Sequence, residues 1–368
     1  MRKLGLVLFV LCCLALTISA FAQDDMMDMP LATGLNNPRH ISFGPDGTLY
    51  IAEAGIGGDM AAPSPIGGSD VLIGQTAQVT AVSPDGEQSV FIGNLTSSFA
   101  DFAYEGVTAV LVDETSAWVV TGIGPKAADL PEGYSPMMSV LQYSLEGGME
   151  MMGAVDLAAW EAENNPDGTD DLASNPQDIA VGPDGTVYIV DASGNSLLSW
   201  TEADSLQLVA SWEVDPTFET PAPVPTSVEV APDGAIYVSF LTGFPFPAGG
   251  ARIEKWVDGA LAETYEGLTM VTDVAIGQDG NVYAVQFSTG LGEQGFNPMS
   301  GSVVMVSMDG ITPVAEGLNF PYGIAQDAEG NWVVSVNSSF AEPGSGMVLY
   351  VHEGMMMPGM EPAATPES

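Results

Sequence analysis

Positive charge is almost missing from this 368-residue chain, where six Lys and Arg stand against 48 Asp and Glu. Two of the six, Arg2 and Lys3, precede an apolar run over residues 4–18, and Ala20-Phe21-Ala22 has the A-x-A form of a cleavage site. The pattern predicts a secretory signal peptide cut after Ala22, and so a secreted or periplasmic protein. The apolar run is too short for a span, and no later stretch approaches the ~20 apolar residues that a membrane helix needs. The processed chain keeps Arg39, Lys126, Arg252 and Lys255 together with all 48 acids, because none lies before position 24. Its formal charge is therefore −44. Such a molecule repels phosphate backbones and anionic lipid surfaces, which argues against nucleic-acid and membrane partners.

Cysteine is missing in the same sense. Cys12 and Cys13 both lie in the signal segment, so no disulfide is expected in the exported chain. Neither fits a lipoprotein site, since no small residue stands just before Cys12. Histidine is limited to His40 and His352, which supplies neither a zinc triad nor a convincing Ser-His-Asp set. There is no G-x-S-x-G. A G-x-G-x-x-G does begin at Gly290, but a strand-like segment follows it, not the helix that a dinucleotide site requires.

What the chain does have is repetition. Six copies of one unit follow one another: LNNPRHISFGPDGTLYIAEAG (35–55), FAYEGVTAVLVDETSAWVVTGIG (102–124), ASNPQDIAVGPDGTVYIVDASG (173–194), PVPTSVEVAPDGAIYVSFLTG (223–243), LTMVTDVAIGQDGNVYAVQFS (268–288) and LNFPYGIAQDAEGNWVVSVNS (318–338). Their turn acids Asp46, Asp113, Asp184, Asp233, Asp279 and Glu329 are spaced 67, 71, 49, 46 and 50 residues apart. The last three spacings suit four-stranded propeller blades, and the first two carry insertions. Apolar residues alternate on both sides of each turn, the period of a strand. Gly44-Pro45-Asp46-Gly47 suits a type I turn, with Gly47 free to take positive φ; the second copy lacks that glycine. Third strands follow at 195–202, 251–259 and 301–310, and a fourth at 311–318. The last copy has only three, and the fourth-strand pattern also occurs at 29–38. Residues 29–35 are therefore expected to complete the last blade and remove a free sheet edge. The reading is all-β: a signal peptide over 1–22, a Met/Asp-rich linker over 23–30, a six-bladed β-propeller over 31–353 and a disordered Met/Pro-rich tail over 354–368.

In such a ring the loops entering the first strand, and those joining the second and third, gather around one channel mouth. This geometry nominates Arg39, Glu53, Asn175, Asp191, Asn195, Thr226, Thr242 and Asp273 as ligand-binding candidates, with Glu105, Gln177, Gln286, Tyr322 and Asn337 beside them. A polar ring around a channel is a natural small-molecule site. The Gly-Phe-Pro-Phe-Pro segment of LTGFPFPAGG (241–250) adds Phe244 and Phe246 as an aromatic wall, or else as an apolar plug. Three Asp of the insertion NNPDGTDDLASNP (164–176), namely Asp167, Asp170 and Asp171, offer oxygens to Ca²⁺, although without EF-hand spacing. Methionine clusters at 26–29, 149–152 and 355–360 could serve Cu(I) or be solvent-facing and tail segments.

The repeat N-P-x-x-I-x-x-G-P-D-G-x-x-Y-I-x-[DE] resembles NHL-type and gluconolactonase-like propellers. With ENNPDGTDDLASNP (163–176), VDASGNSLLSW (190–200) and VPTSVEVAPDGAIYVSFLTGFPFPAGGARI (224–253), the chain is similar to the exported ScyD/ScyE family over roughly residues 31–352. The resemblance implies an extracytoplasmic six-bladed propeller associated with late maturation of an indolic–phenolic pigment, without a settled catalytic set. The positions matching the family pattern are Asn175-Pro176, Asp191, Asn195, Pro225-Thr226 and Leu241 through Pro247. The missing D-G turn of the second blade and the Met-rich tails depart from it. Three functions stay open. The first is a monomeric binder of a small organic ligand or protein partner at the channel face, with no required cofactor. The second is a lactonase-type hydrolase with Glu53, Asn195 and Asp273 around Ca²⁺, and the third a purely structural module.

Overall fold

The computed structural model describes residues 29–100, 103–201, 204–217 and 219–356. The signal segment, most of the linker and residues 357–368 of the tail lie outside them. Six antiparallel sheets form the six blades of a β-propeller, each with its first strand innermost. The innermost strands are Pro38–Phe43, Val107–Val112, Pro176–Val181, Pro225–Val230, Val271–Ile276 and Ile324–Gln326. Ring closure follows the expected route: Ala32–Leu35 pairs antiparallel with Gly346–Val351 as the outer strand of blade six. Ala32 and Leu35 sink into a cluster with Ile41, Val333 and Val348, so the first and last segments share one core.

Each interface between neighbouring blades is filled by one such cluster. Blades one and two meet through Val79, Leu95, Val110 and Leu141, and blades four and five through Ile253, Leu268, Val274 and Val304. The alternation read in the sequence is the cause. Every strand has two faces, and in a radial stack both faces meet a neighbouring blade. The hairpin turn recurs because each blade needs the same reversal. Gly47 takes φ 81° and Gly185 φ 84°, and the Asp46 Oδ1 accepts the Thr48 N–H at 3.0 Å. In blade two Asp113 does this work without a glycine, its Oδ1 accepting from Thr115 N (2.7 Å) and Ser116 N (2.8 Å).

The two long spacings are now explained. Blade one extends its outer hairpin over Val71–Val82 and Gln88–Ala100, and then adds Ala103–Glu105. Between blades two and three lies the helix Leu157–Asn164, the only α-helix among the described residues. At the C-terminus, Met355–Met356 pairs in parallel with Ala315–Glu316 of blade five. The start of the segment read as tail is thus ordered on the ring. The 149–152 methionines sit on or beside the outer strand of blade two, where Met152 is 67% exposed. After Gly290 comes the short hairpin Leu291–Gly292/Gly295–Phe296, with no helix.

Candidate functional site

The innermost strands line the channel in layers, because the repeat brings equivalent residues to equal height. One layer holds Arg39, Thr108, Gln177, Thr226, Thr272 and Tyr322 from blades one to six; the next holds His40, Ala109, Asp178, Ser227, Asp273 and Gly323. Tyr322 and Gln177 come from opposite blades, and the Tyr322 hydroxyl donates to Gln177 Oε1 at 2.7 Å. That bond is a bar across the channel. It divides the space into a cavity of about 220 Å³ at the mouth and one of about 260 Å³ on the side of the hairpin turns.

The mouth cavity is floored by Arg39, Glu105, Gln177 and Tyr322, and walled by Phe246, Phe287, Phe296 and Phe340. Phe296 organises the wall, 5.4 Å from Phe246 and from Phe287 and 5.1 Å from Phe340 between ring centres. Arg39 is 4% exposed. Its Nη2 donates to Tyr104 O at 2.7 Å and its guanidinium lies 4.9 Å from the Tyr322 ring centre, but its Nη1 has no partner. No ion pair among the described residues includes it. Burial raises the pKa of the Glu105 carboxyl, and Arg39 pulls it part of the way back. Burial likewise pushes the Tyr322 hydroxyl up to about 12, so it stays a donor.

Of the residues nominated from sequence, Arg39, Asn175, Thr226 and Phe246 line this cavity, together with Glu105, Gln177 and Tyr322. The others are engaged elsewhere. Glu53 is buried in blade one, where its carboxylate accepts from Asn36 N (2.6 Å), Gln78 Nε2 (2.8 Å) and Thr80 Oγ1 (2.5 Å). Asp191 caps its own loop, accepting from Ser174 Oγ and from the N–H groups of Asn175, Ser193 and Gly194. Asn195 braces two loops, donating to Asp167 Oδ2 (2.9 Å) and accepting from Val224 N (3.1 Å). The Thr242 hydroxyl turns back to Leu241 O. Phe244 is 74% exposed and outside the wall. Gln286 and Asn337 also brace loops, through Thr269 N and Ser345 O. Asp273 lies beyond the bar, in the turn-side cavity. The set Glu53, Asn195 and Asp273 therefore does not converge on one ion.

A different group does converge. Ligand atoms of His40, Asp178 and Asp273 lie within 4.8 Å of one another, all buried. His40 Nδ1 is 3.3 Å from Asp273 Oδ2 and 4.0 Å from Asp178 Oδ2. Donors around a tetrahedral ion at roughly 2.1 Å are about 3.4 Å apart, so this group could hold a divalent metal. An imidazole nitrogen with two carboxylates suits a transition ion better than Ca²⁺, which prefers oxygen alone. Without an ion the cluster balances itself: burial alone would lower the His40 pKa, but Asp178 and Asp273 overcome it and raise it to about 9. Ser227 Oγ sits 2.8 Å from Asp178 Oδ2 and 2.7 Å from Asp273 Oδ1. Sequence reasoning passed over His40 as a lone histidine. The signal was in the repeat, where His, Asp and Asp occupy one position in alternate blades. Phe287, Phe296 and Phe340 were missed because no periodicity marks a loop residue that reaches the mouth.

No protein-family model and no curated protein matches this chain by sequence. By structure it is similar to a gluconolactonase from Xanthomonas campestris, at 11% identity over 87% of this chain and 88% of that one, with a TM-score of 0.51. It is also similar to a Thermus thermophilus protein described as an oxidoreductase (glucose dehydrogenase), at 14% identity over 88% and 98% of the two chains, TM-score 0.51. A virginiamycin B lyase from Staphylococcus aureus aligns over 88% of this chain and 87% of its own at 12% identity, TM-score 0.47. Likeness to the first two, at TM-scores of 0.51 and these identities, establishes the propeller fold alone.

Proposed function

We propose that this chain is an exported, monomeric propeller that binds one small organic ligand at the channel mouth. The ligand combines a flat apolar body with an anionic or strongly accepting group. Arg39 carries this reading. A buried guanidinium whose Nη1 lacks a partner is costly, and Arg39 lines a cavity walled by four Phe, with the Glu105 carboxyl on the same floor. The rest of the molecule sharpens the point. Arg252 and Lys255 are paired with Glu254 and Glu263, whereas no ion pair among the described residues includes Arg39. An aromatic acid would lay its ring against the wall that Phe246 and Phe296 form and turn its acceptor toward the Arg39 guanidinium. Export rests on the signal segment, and no described helix is long and apolar enough to cross a membrane. A role in extracytoplasmic metabolite maturation fits such a carrier.

The test is a matched pair of probes. An anilinonaphthalene sulfonate should bind with enhanced fluorescence, and its uncharged analogue more weakly. Phe246→Ala should weaken both. Equal binding of both probes, or binding indifferent to Phe246, sinks the reading. Metal-assisted hydrolysis is the second reading, favoured by the His40–Asp178–Asp273 group. Turnover of a sugar lactone that survives Phe246→Ala and stops in Asp178→Asn would decide for it.

A further inference from the structure

The insertion ahead of blade three holds a second set of groups that the mouth pocket does not use. Glu161, on the helix Leu157–Asn164, is fully buried, and neither of its carboxylate oxygens has a partner. Four residues on, Asn165 caps the helix in the left-handed region at φ 41°, its Nδ2 donating to Thr169 O at 2.9 Å; its buried Oδ1 is also without a partner. A third orphan oxygen is the buried Ser196 Oγ, opposite Asp191 in the strand pairing.

Glu161 and Ser196 border one turn, 191–195. The Glu161 carboxylate packs over Gly194 so closely that a Cβ there would lie 2.5 Å from Oε2. Asp167 joins the same turn through the Asn195 amide, and Asp191 is tied to the N–H groups of Ser193 and Gly194. Burial, and then Asp191, Asp167 and Asp171, raise the Glu161 pKa to about 8, so a proton and a cation compete for this carboxyl, and neither oxygen has a hydrogen-bond partner. None of the ion pairs among the described residues reaches it. A buried carboxylate in that position calls for a cation.

We propose that Glu161, Asn165 and Asp167 bind one Ca²⁺ against the 191–195 turn. Every donor is an oxygen, with no imidazole or thiolate among them, the ligand set of a hard cation in an irregular loop. The site is separate from the His40 group and independent of the mouth ligand. It would still steady the mouth. Asp191 holds Asn175 N at 2.7 Å, and Asn175 Oδ1, on the pocket wall, accepts from Ile123 N (2.9 Å) and Gln177 Nε2 (2.8 Å).

The test uses the intact chain stripped with a chelator and then titrated with Ca²⁺, with Mg²⁺ at matched ionic strength as control, since so acidic a molecule also gathers divalent ions loosely. Ca²⁺ at about a hundred times its Kd should raise the Tm by roughly 4 °C more than Mg²⁺ does. Tb³⁺ alone should give one saturable emission sensitised by the adjacent Trp160. At pH 9, above the Glu161 pKa of about 8, Glu161→Gln should raise the Tm of the stripped protein by relieving the buried charge, and it should abolish both responses. Asn165→Ala, which leaves the buried carboxylate in place, should weaken Ca²⁺ about tenfold and serves if the first variant fails to fold. A Ca²⁺ shift no larger than that of Mg²⁺, or a full response retained in either variant, overturns the proposal.

Discussion

Arg39→Met would remove the cation of the mouth pocket while keeping a long unbranched side chain in its place. Its effect on folding can be worked from the contacts. The change loses one charged hydrogen bond to Tyr104 O, about 1.5–3 kcal/mol, and a cation–π contact with Tyr322, up to about 2 kcal/mol. Against this it removes a buried donor without a partner, a gain of about 1–3 kcal/mol. The terms largely offset, so the Tm should move by no more than about 4 °C. Binding should respond quite differently. Truncating one side of a buried charge contact costs about 2–5 kcal/mol, or roughly 30-fold to several thousandfold in Kd. Fluorescence titration with the aromatic sulfonate should show that loss, while the uncharged analogue should change less than about threefold. Unchanged sulfonate affinity would refute the role of Arg39. A collapse of the Tm would show instead that the cation holds the ring together.

Leu35→Ala should cost about 2–5 kcal/mol, because Leu35 is 1% exposed in the core that joins the first and last segments; denaturant unfolding measures it, and a loss below about 1 kcal/mol would mean the closure strand is dispensable. Gly323→Ala should be strongly destabilising, since its Cβ would lie 2.6 Å from the His40 Cα and 2.7 Å from Arg39 O, backbone that cannot move aside; a Tm equal to wild type would contradict the close approach of blades six and one. In chelated protein the Tm should fall as pH rises from 6.5 to 9. The folded pKa of His40 is raised to about 9 from 6.5, so its contribution is complete below 6.5 and lost as pH climbs through 9. Glu229, pushed up to about 8 first by burial and then by Asp178 and Asp273, works in the same direction from 4.5 upward. A Tm that rises over this window would contradict both.

The fold was legible because a propeller repeats one local problem six times. Each blade needs an alternating strand pair around a tight reversal, and GPDG with its flanking pattern states that need in about twenty adjacent residues. The closure was legible for the same reason, a spare fourth strand at one end and a missing one at the other. The candidate site was read in part. Arg39, Gln177 and Thr226 lie on innermost strands, and Tyr322 just ahead of one, at a repeated position, so the alignment that found the blades also found them. Glu53 and Asp191 sit just as regularly at the ends of second strands, but there the carboxylate is taken up by N–H and hydroxyl groups of its own blade. Position in the repeat tells which end of the ring a residue occupies, and not whether its side chain is already occupied.

Local sequence therefore determined the strands, the turns, the blade number and the acidity of the surface, because these depend on residues within one hairpin. Tertiary structure alone decided the chemistry of the channel. Gln177 and Tyr322 are 145 residues apart and meet only because six blades bring opposite strands to one axis. The same convergence turns a solitary His40 into a partner of Asp178 and Asp273, and sets Glu161 over Gly194 without a counter-charge. Contacts across a closed ring have no local signature, since the spacing between partners is set by the whole circuit and not by either segment.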